Sequence, residues 1–200
     1  METKTLRKPL LAWHFGGNRL GFRDGRRFRI GARQKFRPTS DGHTKLRMCY
    51  CGMHASVDIL DALSYAQGTI IRRVELSGKA ITDKDKICAE YRKALWALDS
   101  EKLLRRFACR CALDVIDLWS APEVVVQYLR TQDETIRAAA WDAARAAAWD
   151  AARAAAWDAA RAAAWDAARA AAWDAARAAA WKRQRRRLLA MIYAVKRAAC

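Results

Sequence analysis

Apolar positions in the first part of the chain fall into short runs that turn residues separate. Leu10 to Phe15 is apolar and aromatic and ends at Gly16-Gly17-Asn18, whereas Arg27-Phe28-Arg29-Ile30 alternates charged with apolar side chains. Alternation of period two places successive side chains on opposite faces of a strand, so the two apolar side chains would be buried and the arginines would face solvent. With the turn residues Arg23-Asp24-Gly25 between the runs, the pattern predicts a small β-meander.

Three later runs extend this meander. Leu46 to Cys51 is a plausible strand, and Thr69 to Leu76 is β-branched and apolar, with Ser77-Gly78-Lys79 as a turn after it. Ile87 to Leu98 fits a strand or a helix, and periodicity leaves both open.

Helical patterns appear between these runs and dominate the second half of the chain. Val57 to Gln67 is predicted as a short helix, capped by Ser56 and ended by Gly68 in a left-handed conformation. From Leu103 to about Trp119, apolar side chains recur at helical spacing, which predicts an amphipathic helix.

Two sequence motifs divide the helical half. Ser120-Ala121-Pro122-Glu123 and Thr131-Gln132-Asp133-Glu134 both have the form of a capping box. A last helix would begin at Thr131 and, without Gly or Pro through Cys200, extend for about 100 Å. The predicted class is α+β, a small basic meander with an embedded helix, then packed helices and a long single helix, over residues 1–98, 99–131 and 132–200.

The last helix contains a tandem repeat, residues 137–181. The octapeptide Arg-Ala-Ala-Ala-Trp-Asp-Ala-Ala occurs five times without change from Arg137 to Ala176 and begins again at Arg177 to Trp181. Alanine favours helix, and the Arg, Trp and Asp side chains can pair at i, i+3 and i, i+4. Successive Trp residues rotate by about 80°, so they form no coiled-coil stripe. The tract is either a rigid spacer that favours homo-oligomers through its Trp side chains or a tolerated repeat expansion.

The net charge of +17 is concentrated at two poles. Residues 1–47 carry +10, residues 48–131 carry +1 and residues 132–200 carry +6. Such poles attract polyanions, nucleic acid first and an anionic membrane surface second, although a GC-rich genome also produces basic proteins that bind neither. The candidate nucleic-acid-binding residues are Arg23, Arg26, Arg27, Arg29 and Arg33 in the meander and Lys182, Arg183, Arg185, Arg186 and Arg187 after the repeat.

The apolar runs and the N-terminal segment bear on where in the cell the protein resides. No run approaches the roughly 18 apolar residues of a membrane span, and Met1 to Phe15 lacks the pattern of a signal peptide. A cytoplasmic protein with reduced cysteines is therefore expected.

Leu188, Ile192 and Val195 share a face of the basic C-terminal end, which is expected to fold back on the domain or to pack in an oligomer.

The cysteines do not predict a metal site. Cys49 and Cys51 are separated by one residue instead of the usual two to four, and Cys109 and Cys111 on a helix would point about 200° apart. Thiols in the core are the expected role. The chain also lacks a P-loop, G-x-G-x-x-G, G-x-S-x-G and HExxH.

Between Cys49 and Gly78 the chain resembles a family of tailed-phage and prophage proteins. The shared residues are Cys49-x-x-Gly52-Met53-His54-Ala55-Ser56, then Asp61-Ala62-Leu63-x-Tyr65-Ala66-x-Gly68, then Arg73-Val74-Glu75-Leu76-x-Gly78. The resemblance covers roughly residues 10–135, and members of that family often carry an Ala-, Arg- and Asp-rich helical tail like the one that follows here. Met53 occupies the usual Leu or Phe position. The resemblance implies an accessory protein of a phage or prophage but supplies no activity.

A looser resemblance is to the ADP-ribosyltransferase fold. It is carried by Trp13-His14-Phe15-Gly16, the Gly-x-His-Ala centre, Ala62-x-x-Tyr65 and Val74-Glu75-Leu76. It implies NAD as cofactor: His14 would hold the NAD ribose, His54 or Tyr65 would stack on nicotinamide, and Glu75 or Glu90 would orient the nucleophile. The Ser-Thr-Ser and Glu-x-Glu signatures of one branch of that fold are missing.

Three function classes therefore remain open. The first is a non-enzymatic protein that binds nucleic acid or another anionic host partner, with low sequence specificity because phosphate contacts read no bases. The second is an NAD-binding transferase or a degenerate relative of one. The third is a helical spacer or self-assembly protein.

Overall fold

The computed structural model describes residues 3–20, 25–38, 44–147 and 166–199, without the side chains of residues 166–175. It contains a curled antiparallel sheet and several helices, which confirms the α+β class. The chain forms two compact units: unit 1 is Met1–Glu101 with Ile192–Cys200, and unit 2 is Lys102–Met191. The candidate Arg23 and the repeat copies at 148–165 lie outside the described residues, and so does the predicted 100 Å helix as a whole.

Unit 1 is built on a six-stranded antiparallel sheet. Two long strands, β5 and β6, pair with each other along their length, and each also pairs with two shorter strands. In chain order the elements are β1 (Thr3–Thr5), β2 (Leu10–Gly16), β3 (Arg33–Lys35), β4 (Met53–Ala55), α1 (Ile59–Ser64), β5 (Ile70–Thr82) and β6 (Ile87–Asp99). β1 and β2 pair with β5, and β3 and β4 pair with β6.

The sheet curls until its two sides meet. The Trp13 N–H donates to the Ser56 carbonyl at 2.7 Å, and the Ser56 N–H donates to the Trp13 carbonyl at 3.0 Å, which joins β2 to the end of β4. Small side chains permit this tight curvature around the core. The buried cluster is Ala12, Ala55, Val74, Leu76, Ala80, Ile87, Ala89 and Ala94.

The strand predicted at residues 27–30 is wrong. Only isolated bridges form there, Arg19 with Arg27 and Ile30 with Ala94, and Ile30 is 59% exposed. The Gln34 side chain accepts from the Arg29 N–H at 3.1 Å and donates to the Arg27 carbonyl at 3.1 Å. This side chain takes the hydrogen bonds that a neighbouring strand would otherwise make.

Two further segments differ from the sequence pattern. Residues 46–51 form a turn and not a strand, because the Arg47 carbonyl accepts from the Tyr50 and Cys51 N–H groups and Cys49 has a φ of 66°. Ser77 to Lys79 does not end β5 but forms a bulge within it, which Gly78 permits with a φ of 81°. Residues 87–98, for which the periodicity allowed a strand or a helix, form a strand.

The embedded helix exists but is shorter than predicted. Its N-cap is Asp58, whose carboxylate accepts from the Leu60 N–H at 2.8 Å, because the backbone of Ser56 is paired with β2. Gly68 has no left-handed conformation. Its role is close packing, since a Cβ there would lie 2.7 Å from the Gly16 carbonyl carbon.

Unit 2 contains helices, the first three of which are joined by short 3-10 turns. They are α2 (Glu101–Leu113, of which the first residue belongs to unit 1), a turn at Ile116–Leu118, α3 (Glu123–Thr131), a turn at Glu134–Ile136, α4 (residues 137–147) and most of α5 (Asp166–Ala198). Among the described residues, no helix is both long enough and apolar enough to cross a membrane.

The two predicted capping boxes are wrong. Pro122 is the N-cap of α3 and makes no side-chain cap. The Thr131 hydroxyl donates to the Gln127 carbonyl at 2.8 Å and so closes α3, while Asp133 caps the next turn by accepting from the Thr135 N–H at 2.9 Å. A threonine hydroxyl can donate to the carbonyl four residues before it instead of accepting from an amide after it. Thr131 does the former, so it ends α3 and does not cap the next helix.

Unit 2 is stabilised by apolar packing and by a bidentate ion pair. Leu103, Phe107, Val125 and Leu188 are buried. The Arg187 guanidinium donates to both Asp114 carboxylate oxygens, at 2.7 and 3.0 Å. Arg187, a candidate nucleic-acid contact, is therefore engaged within the protein.

The end of α5, Ile192–Cys200, belongs to unit 1. This agrees with the expectation that the C-terminal end folds back on the domain. The Tyr193 ring packs edge-on against Trp13 with centroids 6.2 Å apart, and the Lys196 ammonium lies 4.8 Å from the centre of the Trp96 ring. Trp13 and Trp96 also pack edge-on, at 5.8 Å. This segment thus packs against the face of the sheet that carries Trp13 and Trp96.

Candidate functional site

Unit 1 contains a cavity of about 730 Å³ between β2, β4, α1 and the loops beside them. The lining residues differ in their exposure to solvent. Some are buried, among them Trp13, Met53 and Ser56, and others are exposed, among them Arg37 and Tyr50. The cavity therefore has a buried floor and an open mouth, and its volume lies in the range of roughly 300 to 1,000 Å³ that is typical of small-molecule sites.

The cavity brings together three of the four residues of the transferase interpretation. His14, His54 and Tyr65 all line it, although they come from β2, β4 and the end of α1. Glu90 does not line it: its carboxylate accepts from the Lys79 N–H at 3.3 Å and pairs with the Lys35 ammonium at 3.2 Å. Glu75, the other candidate carboxylate, lies elsewhere in the sheet, in register with Leu11 and Lys93.

His14 is a neutral imidazole with a defined tautomer. Burial, and then the positive charges of Arg92 and Arg72, hold its pKa well below the usual range. Its Nδ1 lies 3.0 Å from Nη1 of Arg72, and a guanidinium can only donate. Nδ1 therefore accepts, and the ring proton is on Nε2.

His54 is also neutral and is fixed by the loop before β4. Burial, and then the charges of Arg92 and Lys86, lower its pKa to about 4. Its Nε2 accepts from the Cys49 N–H at 3.1 Å, so the ring proton is on Nδ1. The two histidines thus serve as hydrogen-bonding groups and not as cations near neutral pH.

Two arginines are buried behind the histidines. Arg72 is 1% exposed, stacks on Phe28 at 3.8 Å and has its pKa lowered by burial to about 10. Its Nε is the one buried side-chain nitrogen or oxygen without a hydrogen bond in the described part of the chain. Arg92 is 4% exposed and donates to the carbonyls of His54, at 2.7 Å, and Leu20.

Neither buried arginine was predicted from the sequence, although the alternation along each strand places both on its buried face. Arg72 alternates in phase with the buried Val74 and Leu76, and Arg92 alternates in phase with the buried Ala94. An arginine on the buried face of a predicted strand is unusual and often marks a site.

The mouth of the cavity is cationic. Arg26, Arg37 and Lys86 line it, and no Asp or Glu does so among the residues that the structure describes. The Lys86 ammonium lies 4.4 Å from the centre of the Tyr65 ring, whose hydroxyl donates to Asp85 at 2.6 Å. Since like charges at a concave surface reinforce one another, the arrangement favours an anion.

Exposed cations continue from the mouth along the chain. Arg27, Arg29 and Arg33 are exposed, and Arg33 stacks on the Tyr91 ring at 3.8 Å. Of the tail candidates, Lys182, Arg183, Arg185 and Arg186 are exposed in unit 2, whereas Arg187 pairs with Asp114. The candidate residues of the two basic poles thus belong to different compact units.

The described cysteines are thiols, and three of them are buried: Cys51, Cys88 and Cys109. Burial raises the pKa of Cys88 to about 12, so this thiol stays protonated. Within the described ranges, no three His, Cys, Asp or Glu side chains are grouped closely enough to hold a metal ion.

No family model, curated protein or solved structure matches the chain. The resemblances to the phage family and to the ADP-ribosyltransferase fold therefore stay predictions.

Proposed function

We propose that the protein is a non-enzymatic binding protein for nucleic acid, which it contacts through the cationic segment at residues 26–37. The observation that carries the proposal is the row of exposed cations Arg27, Arg29, Arg33 and Arg37 beside a cavity mouth without a carboxylate among its described lining residues. Release of counterions from phosphates makes such a surface attractive to nucleic acid.

The segment is held in a fixed conformation, which favours binding because little order is lost. The Gln34 side chain joins the backbones of Arg27 and Arg29, and the Arg26 guanidinium donates to the Lys35 carbonyl at 2.6 Å. The Gly31 N–H donates to the Ala94 carbonyl at 2.8 Å and ties the segment to β6. A preorganised surface loses less conformational entropy on binding than a mobile one.

The test is binding of the full chain to a labelled single-stranded oligonucleotide, measured by fluorescence anisotropy between about 50 and 200 mM salt. The triple variant Arg27→Gln/Arg29→Gln/Arg33→Gln should bind at least tenfold more weakly at the lower salt. Its slope of log K against log salt should decrease by about 0.7 for each lost phosphate contact.

The matched control removes the same charge from unit 2. Lys102, Arg106 and Arg110 are exposed along α2, and their replacement by Gln should change the affinity less than twofold. Equal losses in both triple variants would show that net charge alone attracts the oligonucleotide, and the proposal would be abandoned.

A second candidate is nucleotide binding, with NAD as the cofactor of the transferase interpretation. The convergence of His14, His54 and Tyr65 on one cavity supports it. Because neither Glu75 nor Glu90 lines that cavity, we propose binding without transfer chemistry. Calorimetric titration with NAD should show binding that His14→Gln weakens; unchanged affinity in this variant would reject the cavity as the NAD site.

A further inference from the structure

Unit 2 exposes a group of apolar side chains in the turn between α2 and α3. Val115 and Trp119 are exposed there, and Leu118 is 82% exposed. The Leu118 N–H donates to the Val115 carbonyl at 3.1 Å, so one 3-10 turn holds these residues close together. Single apolar side chains are common on protein surfaces, whereas adjacent ones often mark a binding surface. Residues 115–119 thus form an apolar tip.

Hydrogen bonds fix the apolar tip at both ends. Before it, the Asp114 N–H donates to the Arg110 carbonyl at 3.2 Å, and after it, the Ala121 N–H donates to the Trp119 carbonyl at 3.0 Å. The bidentate ion pair of Asp114 with Arg187 ties the same turn to α5. The tip therefore presents its apolar side chains from an ordered backbone, which loses little conformational entropy on binding.

Cations lie beside the apolar tip. Arg110 is exposed in the last turn of α2. On α5, Arg183 is exposed and lies one turn before Arg187. The hydrogen bond from Arg187, and then the positive charges of Arg187 and Arg183, lower the pKa of the Asp114 carboxyl, so Arg183 also lies near the tip. Asp117 is the one acidic residue within residues 115–119, and it is exposed.

This combination fits the surface of an anionic lipid bilayer. The side chains of Val115 and Leu118 gain free energy when they leave water for acyl chains, and tryptophan favours the boundary between acyl chains and headgroups. Arginines beside them attract anionic headgroups. A phosphate backbone of nucleic acid offers no apolar region to an aliphatic side chain, so the tip favours lipid over nucleic acid.

We propose that the apolar tip of unit 2 docks the protein reversibly on an anionic membrane surface. Val115 and Leu118 insert among the acyl chains, and Trp119 lies at the headgroup boundary. Arg110 and Arg183 contact the headgroups. The inference goes beyond the proposed nucleic-acid binding, because it concerns a different unit and a different partner. One turn inserts only shallowly, so binding depends on both apolar insertion and charge.

The experiment is cosedimentation of the full chain with lipid vesicles. The vesicles contain phosphatidylcholine alone or with about 30% phosphatidylglycerol, and the salt concentration is about 50 or 200 mM. The anionic vesicles should bind the protein at least about tenfold more strongly than the neutral ones at the lower salt, and this preference should decrease at the higher salt.

The variant Leu118→Ser tests apolar insertion. It should weaken binding to the anionic vesicles by at least about tenfold, because the side chain can no longer leave water for acyl chains. Val57→Ser is the matched control, since Val57 is an aliphatic residue of unit 1 that is 53% exposed. This control should bind within about twofold of the unaltered protein.

Two further variants test charge in opposite directions. Arg110→Gln/Arg183→Gln should weaken binding by about fivefold for each lost cation. Asp117→Asn should strengthen it by about two- to fivefold, because the carboxylate repels anionic headgroups. Thermal unfolding establishes that each variant is folded, and the direction of the Asp117→Asn effect decides the matter if Leu118→Ser does not fold.

The contrary outcomes are distinct. If the full chain does not bind the anionic vesicles, or if Leu118→Ser binds them as well as the unaltered protein, the inference is overturned and the proposed function is unaffected. A loss of oligonucleotide affinity in Leu118→Ser would assign the tip to nucleic acid instead. A dimer that Leu118→Ser dissociates, without vesicle binding, would assign it to a second copy of the chain; both results contradict the inference.

Discussion

Two neutral histidines beside two buried arginines give the protein a defined pH dependence. The pKa of His54 is about 4 in the folded protein because of burial and nearby positive charge, against about 6.5 when unfolded. The unfolded chain therefore binds a proton at a pH where the folded chain does not, so the free energy of unfolding falls as the pH drops through this interval.

Between pH 7 and pH 5 we expect His54 alone to lower the free energy of unfolding by about 2 kcal/mol. Urea unfolding at several pH values measures this loss. The variant His54→Gln should show a flatter profile over that interval, because glutamine does not titrate. An equally steep profile in the variant would show that other groups cause the acid sensitivity.

Gly52 is a second residue whose role is defined by its surroundings. Its φ is 142°, and a Cβ there would lie 2.2 Å from the Cys88 sulfur and 2.9 Å from Leu46 Cδ2. We expect Gly52→Ala to lower the free energy of unfolding by at least about 2 kcal/mol, through backbone strain and overlap.

Gly17→Ala is the matched comparison, because nothing lies within 4 Å of a Cβ at that position. Its effect in the same denaturant titration should stay within about 0.5 kcal/mol. A mild effect of Gly52→Ala would mean that the loop before β4 rearranges around the methyl group.

At the scale of elements, the end of α5 is part of the sheet's packing. Tyr193→Ala removes the edge-on contact with Trp13, and we expect a loss of about 1 kcal/mol in the free energy of unfolding. Tyr193→Phe keeps the ring and should lie within about 0.5 kcal/mol of the unaltered protein. Chemical denaturation followed by tryptophan fluorescence compares the two, and a large loss in Tyr193→Phe would assign the stabilisation to the hydroxyl.

The sequence predicted those elements whose own residues determine them. The alternation through Val74 and Leu76 and the apolar run at Leu10 to Phe15 specify strands without help from neighbours. The segment at Arg27 to Ile30 shows the same alternation, but its outcome depends on Gln34, a side chain whose bonds no periodicity reveals. Long-range partners also decided which residue capped α1.

The same division explains the candidate site. Resemblance pointed to His14, His54 and Tyr65, which line one cavity, but it also pointed to Glu90, which pairs with Lys35 elsewhere. Which residues meet in the cavity follows from the register of β5 with β2 and β6, a property of pairing and not of local composition.

At the scale of the whole molecule, the two basic poles are expected to act separately. Lys182, Arg183 and Arg186 are exposed in unit 2, and replacing all three by Gln should decrease the slope of log K against log salt for a single strand by up to about 2. NAD affinity should stay within twofold, because these residues do not line the cavity. Anisotropy titrations with the oligonucleotide and calorimetric titrations with NAD measure the two quantities in the triple variant, and a parallel loss of NAD binding would show that the poles are coupled.

The inclusion of Ile192–Cys200 in unit 1 has a consequence for synthesis of the chain. The sheet is translated before the repeat, yet the segment that covers Trp13 and Trp96 is translated after it. A slipped reading frame within that repeat would therefore release a sheet with two uncovered tryptophans. Quality-control proteases and chaperones recognise such exposed apolar surface, so errors in a repetitive stretch of the gene would be removed at the level of the protein.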